Sequence, residues 1–282
     1  MKLQVFHRTQ YTYASPVIES FNEVRLHPLS IDGQNCQSFI LKVLPASRLS
    51  HYFDFFQNYV HFFEVLGPHN VLTIESTSKV TTAYVPLPED AETVPLSRLA
   101  ELTQLDKCYD FLQPSQFVTL GPEVWRLALD ATAGETDTWR AALIIMRYIH
   151  GSFTYTPQST NVNTMVEEVI QLRRGVCQDF AHLMLGMCRS LKIPARYVSG
   201  YLYNGPGGVL QGSQASHAWC EVYLPQLGWR ALDPTNNQPA DENYVKVAVG
   251  RDYADIVPVK GSYKGTREKT MTVHVEVTSL EI

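Results

Sequence analysis

The sequence predicts an α+β fold in which a β-rich N-terminal unit precedes a helical stretch and a second set of strands. Three observations carry this. Period-two apolar alternation and β-branched or aromatic runs fill the chain up to Thr82. Thr82–Pro95 then holds Pro86, Pro88 and Pro95 among acidic residues, as a linker does. Beyond it the apolar spacing turns helical, and strand patterning returns from Ala195.

The N-terminal strands are placed at Gln4–Tyr13, Phe39–Leu44, Tyr59–Leu66 and Val71–Thr82, separated by turn residues at short spacing. Phe39, Leu41 and Val43 alternate and share one face. No residue in this region combines with another into a catalytic pattern, so 1–85 reads as a β-sandwich-like accessory domain. The second domain is placed at 96–282. Its helices are Val124–Ala131, Thr138–His150 and Thr164–Arg173; Leu143, Met146 and Ile149 give the second its apolar stripe, and Asp137 is placed to cap it. Strands follow at Arg196–Tyr203, Ser216–Leu224 and Trp229–Leu232. A last strand, 270–279, is free to pack elsewhere.

Composition narrows the function. Of 282 residues 45% are apolar and 18% charged, enough for a sizeable core, and the net charge of −5 argues against nucleic acid or an anionic membrane as partner. The longest apolar runs, such as Ala141–Met146, fall far short of a membrane span. Met1–Tyr13 has no secretory apolar run, and five widely spread cysteines read as a reduced, cytoplasmic protein rather than a disulfide scaffold. No phosphate-binding glycine loop, G-x-S-x-G or calcium-loop pattern is present, so no cofactor is expected.

Arg173–Phe180 is the most informative segment. From Phe180 the apolar residues Leu183, Met184, Met187, Cys188 and Leu191 form a helical stripe that must stop before Pro194. Gly175 permits a tight turn into this helix and puts Cys177 in its first turn. There the helix dipole and free backbone N–H groups favour a thiolate and could hold an oxyanion. Cys188, in the stripe, and Cys220, between strand neighbours, read as structural. Cys177 and Cys188 would lie about 16 Å apart along one helix, too far for a shared metal ion, and no CxxC is present.

A thiol nucleophile needs a base, and the base needs an orienting partner. His182 is five helical residues from Cys177 and turned about 140° away, so it reads as a helix-face residue with a local hydrogen bond. His217 opens a strand on which Trp219, Glu221 and Tyr223 share its face. An odd-length loop, Pro225–Leu227, would set Leu224 opposite Gly228 and Trp219 opposite Asp233, placing Asp233 diagonal to His217 on one face at roughly 7–8 Å. Glu221, about 13 Å along the same strand, is too far.

Two stretches, RRGVCQDFAHLMLGMCRSLKIPARYVSGY and ASHAWCEVYLPQLGWRALDPTNN, together resemble the core of the transglutaminase-like family within the papain-like superfamily. The opening YTYASPVIESFNEVRLHP and the tail YVKVAVGRDYADIVPVKGSYKG resemble its bacterial branch with a β-rich N-terminal domain. The resemblance implies a helix-borne cysteine packed on an antiparallel sheet, with Cys177 as nucleophile, His217 as base and Asp233 as orienter, acting on a peptide or protein amide. The CGSCW-like signature of papain proteases is absent. Tyr155 is a weak candidate for an oxyanion donor, and Gln178 for the cleft. Arg251, Asp252 and Asp255 read as a structural salt-bridge group. The Gly-rich, polar segment Asn204–Ala215, bordering the cleft, is expected to leave it open to water, which favours hydrolysis over transfer to an amine. A non-catalytic binding or scaffold protein that keeps the fold is a third reading, and the intact set of Cys177, His217 and Asp233 argues against it.

Overall fold

A computed structural model describes residues 1–87, 93–102, 106–205, 208, 210–212, 216–225 and 227–280. The expected strand at Gln4–Tyr13 extends without a break into β1 (Lys2–Val24). Its first half pairs antiparallel with β5 (His69–Thr82), and its second half with β4 (Tyr59–Val65). A register shift between Thr12 and Val17 lets one strand serve two ladders. β2 (Gln34–Leu44) lies outside β5, and β3 (Ser50–Phe53), which patterning did not indicate, outside β4. Phe39, Leu41 and Val43 are the half-buried or buried positions of β2, and the residues between them are exposed.

The helices come next: α1 (Leu96–Leu102), α2 (Asp106–Tyr109), α3 (Pro122–Thr132), α4 (Thr138–Ser152), α5 (Val166–Leu172) and α6 (Cys177–Ser190). Asp137 caps α4 by accepting the Arg140 N–H at 2.8 Å. Two short strands, β6 (Thr154–Tyr155) and β7 (Arg174–Gly175), pair in parallel just before α6. The second sheet comprises β8 (Ala195–Leu202), β9 (His217–Leu224), β10 (Gly228–Asp233), β11 (Gln238–Pro239) and β12 (Tyr244–Gly250), in the order β11-β10-β9-β8-β12.

The apolar stripe foreseen on α6 packs against Ala218, Cys220 and Val222 of β9. The helix is not one-sided, however: Ala181, Leu185 and Gly186 are buried too, because α3, α4 and α5 pack on its far side. Each fully buried leucine or methionine there contributes roughly 1.5–3 kcal/mol, so α6 is the best-anchored helix on which a reactive side chain could sit. Arg189, with no exposure at all, is satisfied by carbonyls of Ala195, Gln113 and Arg251.

The chain then returns to its start. β13 (Val259–Lys264) and β14 (Lys269–Ser279) both pair antiparallel with β1, β14 continuously from Leu3↔Ser279 to Tyr13↔Lys269. The segment before Met271, unassigned by patterning, is thus partly strand, and the C-terminal strands extend the N-terminal sheet rather than the second one. Between the two sheets, Asn58 exchanges hydrogen bonds with both backbone groups of Val249, and Gln34 does the same with Lys246. The Tyr201 hydroxyl meets His7 at 3.0 Å. Among the described residues no helix is long and apolar enough to cross a membrane.

Candidate active site

The start of α6 is built around a carboxylate that sequence reasoning passed over. Asp179, at the third helical position, turns back to accept the Val176 N–H at 2.7 Å and the Thr160 hydroxyl at 2.5 Å. Gly175 is needed for this close approach: a Cβ there would lie 2.7 Å from Asp179 Cβ. The signal was available, since an acidic residue three positions past a helix boundary is a capping pattern. Burial pushes the Asp179 carboxyl up, against those two hydrogen bonds. Cys177 is the first helical residue and half-buried; the first helical hydrogen bond of this turn runs from the Phe180 N–H to Val176 O, so the N–H groups before it precede the ladder.

The β9–β10 hairpin has the derived register. Leu224 pairs with Gly228 and Cys220 with Leu232, which carries Asp233 to the face of His217. His217 Nε2 and Asp233 Oδ2 are 2.8 Å apart, with both side chains fully buried. The carboxylate gathers further donors: the Asn236 amide at 2.7 Å and the Tyr244 hydroxyl at 2.8 Å on Oδ2, and the Thr235 N–H at 2.8 Å on Oδ1. Tyr244 and Asn236 were not foreseen. Asn236 carried a turn signal in Pro234–Asn237, but Tyr244 arrives from β12, two strands away from β9, and nothing local marks it.

These contacts fix the charge state. Burial works to raise the Asp233 carboxyl, but the His217 charge and the three side-chain hydrogen bonds hold it below the ordinary carboxylate range. Burial likewise lowers His217, yet the charge and hydrogen bond of Asp233, and then Cys177, outweigh it and lift the imidazole to about 10. On the other edge of the ring Nδ1 is buried with no partner at ordinary hydrogen-bond length. After Asp233, Cys177 is the other group whose influence raises the ring. Gly212, at φ +85°, lies over the same edge, so close that a Cβ would fall 2.3 Å from Nδ1. Asn236 pins that backbone by bonding both Gln211 N and O. The rest of the segment read as open to water, at 206, 207, 209 and 213–215, lies outside the described residues.

The other candidates fall elsewhere. Tyr155 lies on β6 opposite Gly175; burial, and then the charges of Cys177 and Asp233, push its hydroxyl up to about 12, so it stays a proton donor. Gln178 donates to Val162 O at 3.1 Å. His182 is fully buried, and its partner is distant rather than local: Nε2 accepts the Tyr253 N–H at 3.2 Å while the ring stacks on Phe117. Glu221 is taken by Arg196 and Lys246. Arg251 pairs with Asp255 at 2.9 Å, and Asp252 accepts the Phe117 N–H. Among the described residues no group of His, Cys, Asp and Glu is placed to hold a metal ion.

Cys188 and Cys220 are both fully buried. Burial pushes the Cys188 thiol up to about 12 and Cys220 far above its ordinary range. Iodoacetamide at neutral pH should therefore modify Cys177 at least about tenfold faster than either. Peptide mapping of partly labelled, folded protein measures this, and equal labelling would remove the physical distinction between the thiols.

The sequence profile of the transglutaminase-like superfamily matches residues 126–234, and that of the bacterial transglutaminase-like N-terminal region matches residues 3–81. An uncharacterized protein of Mycobacterium leprae is 34% identical over 281 residues, which is 99% of each chain. The protein-glutamine gamma-glutamyltransferase of Pseudomonas aeruginosa is 35% identical over 100 residues, covering 33% of this chain and 15% of that one. Among solved structures, a cysteine-protease candidate from Cytophaga hutchinsonii superposes with a TM-score of 0.82 at 27% identity, over 100% of this chain and 91% of that one.

Proposed function

The chain belongs to the transglutaminase-like superfamily, and from that premise we propose that it is a thiol enzyme that cleaves amide bonds of peptide or protein substrates through Cys177, His217 and Asp233. The observation that carries this reading is the buried imidazole: Nε2 is bonded to Asp233 at 2.8 Å, Nδ1 is left without a hydrogen-bond partner, and Cys177 is among the groups that raise the ring. An imidazolium beside the sulfur is the partner a thiolate needs. The thiolate adds to the amide carbon. The oxyanion is held by N–H groups at the start of α6, and Tyr155 stands near as a further donor. His217 gives its proton to the departing amine, leaving a thioacyl-enzyme. Neutral His217 then takes a proton from water as it attacks the thioester, the acid leaves, and the sulfur departs as thiolate. Asp233 keeps its charge throughout and orients the ring.

Transfer of the acyl group to an amine is the second reading, favoured by the similarity to the Pseudomonas aeruginosa transferase over 100 residues. The two readings share every step up to the thioacyl-enzyme. What favours water is the backbone, rather than an aromatic side chain, that Gly212 presents to the reacting edge of His217. A glutamine-containing peptide offered with excess primary amine decides between them by mass: free acid or a shortened peptide is expected, and a dominant amine conjugate lost in Cys177→Ala would overturn hydrolysis. Turnover unchanged in Cys177→Ala would overturn both.

A further inference from the structure

A cavity of about 510 Å³ opens on the same sheet face as His217 and Asp233, lined by neither of them nor by Cys177. We propose that it binds a small apolar zwitterion, a free amino acid or dipeptide, with the ligand carboxylate seated on Lys246 and Arg196. Its floor is β8, β9, β10 and β12; its walls are residues 31–34 and 83–85, carried in from the N-terminal sheet. The wall is built rather than incidental. Gln34 clasps the Lys246 backbone through two hydrogen bonds, donating to Lys246 O and accepting from Lys246 N, and donates also to Leu29 O; Thr82 donates to Glu242 O.

The charge pattern selects the ligand. Buried Glu221 takes both Arg196, at 2.7 Å, and Lys246, and its ionised form persists down to a pKa of about 2: burial opposes this but the two cations prevail. Two cations against one carboxylate leave an excess positive charge on a floor only partly open to water, with lysine and guanidinium protons beyond those spent on Glu221. A ligand carboxylate completes that set. At the rim stand Asp32 and Asp241, suited to an ammonium group. Basic and acidic residues balance around the lining, which disfavours a polyanion such as a nucleotide. Between the two poles lie apolar walls, among them Val85, Ile31 and Trp229, the last with the Arg196 guanidinium 4.2 Å above its ring. The volume lies in the usual range for a small-molecule site. Trp219 and Tyr244 line the cavity, and they also touch the catalytic pair: Trp219 stacks on His217 at 6.0 Å, and Tyr244 donates to Asp233.

Calorimetric titration of the full chain with leucyl-leucine tests the site. Saturable binding is expected, weaker by about tenfold or more for leucyl-leucinamide, which lacks the carboxylate, and for N-acetyl-leucyl-leucine, which lacks the ammonium. Lys246→Met leaves Glu221 paired with Arg196 and should weaken the dipeptide by a similar factor. Ala83→Trp, at an exposed wall position, should fill the cavity and abolish binding without disturbing the fold, checked by thermal melting. Cys177→Ala should bind as the parent does. No saturable heat up to about 10 mM, equal affinity for either analogue, binding unchanged in both cavity variants, or binding lost in Cys177→Ala would each overturn the proposal.

Discussion

Asp233→Asn should lower amide turnover by a factor on the order of 10³–10⁴ while leaving the fold intact. The side chain keeps its size, so packing is not the cause. An asparagine amide nitrogen would bring hydrogens into a pocket already supplied with donors from His217, Asn236, Tyr244 and the Thr235 N–H. Whichever way the amide turns, a buried donor loses its acceptor or the ring loses its orientation. The larger effect is electrostatic. Asp233 contributes both the charge and the hydrogen bond that hold His217 up at about 10; without them burial dominates and the imidazole becomes neutral at lower pH.

The sign of the pH dependence follows. In the folded wild type His217 titrates above its ordinary 6.5, so the stability from its ion pair is complete below 6.5 and is lost as pH rises to about 10. The imidazolium therefore persists across the neutral range, and iodoacetamide should react with Cys177 faster in wild type than in His217→Ala at pH 6–8, the gap closing toward about pH 10. Asp233→Asn should close it at lower pH. Rate profiles of the three proteins, with circular dichroism as the folding control, measure this. Turnover within tenfold of wild type in Asp233→Asn, or a profile identical to it, would remove Asp233 from the mechanism.

Gly200→Ala should destabilise the protein by about 3 kcal/mol or more, one of the larger effects open to a single methyl group. Gly200 pairs with His217 across β8 and β9 and with Lys246 across β8 and β12. A Cβ there would sit 2.0 Å from Val245 O and 2.6 Å from the Trp219 ring. Neither can yield easily. The carbonyl belongs to the neighbouring paired strand, and Trp219, 1% exposed, is wedged edge-on against Tyr244 at 5.3 Å. For a chain of this size the melting temperature should fall by roughly 6–12 °C. Adding Trp219→Phe should recover only part of the loss, since the carbonyl clash remains. A cost below about 1 kcal/mol would mean that the sheet bends around the methyl and that Gly200 is not fixed by packing.

Much of the site was legible before any coordinates because its placement follows from short-range rules. A cysteine after Gly175, ahead of an apolar helical stripe, is a helix-start thiol. Strand alternation separates His217 from Ala218, and an odd loop sets Leu224 opposite Gly228, so one face holds both His217 and Asp233. Each step needs only period 3.6, period 2 and hairpin parity. Errors arose where a residue's setting came from other elements. Alternation located parts of β1 but not its continuity, which depends on a register shift that only its partner strands reveal. The α6 stripe predicted one buried side, and the three helices that precede it buried the other.

Sequence alone was enough for the broad succession of strands, helices and strands, the helix-borne position of Cys177 and the shared face of His217 and Asp233, because those depend on neighbours in the chain; β3, β12 and β13 were not legible in it. Tertiary structure decided the rest: the return of β13 and β14 onto β1, the Tyr244 hydroxyl on Asp233, the Glu221 ion cluster and the cavity above it. Each of these joins groups carried by different strands, and a buried charge or hydroxyl takes whatever partner the assembled sheets bring within about 3 Å. No local period encodes which partner that will be.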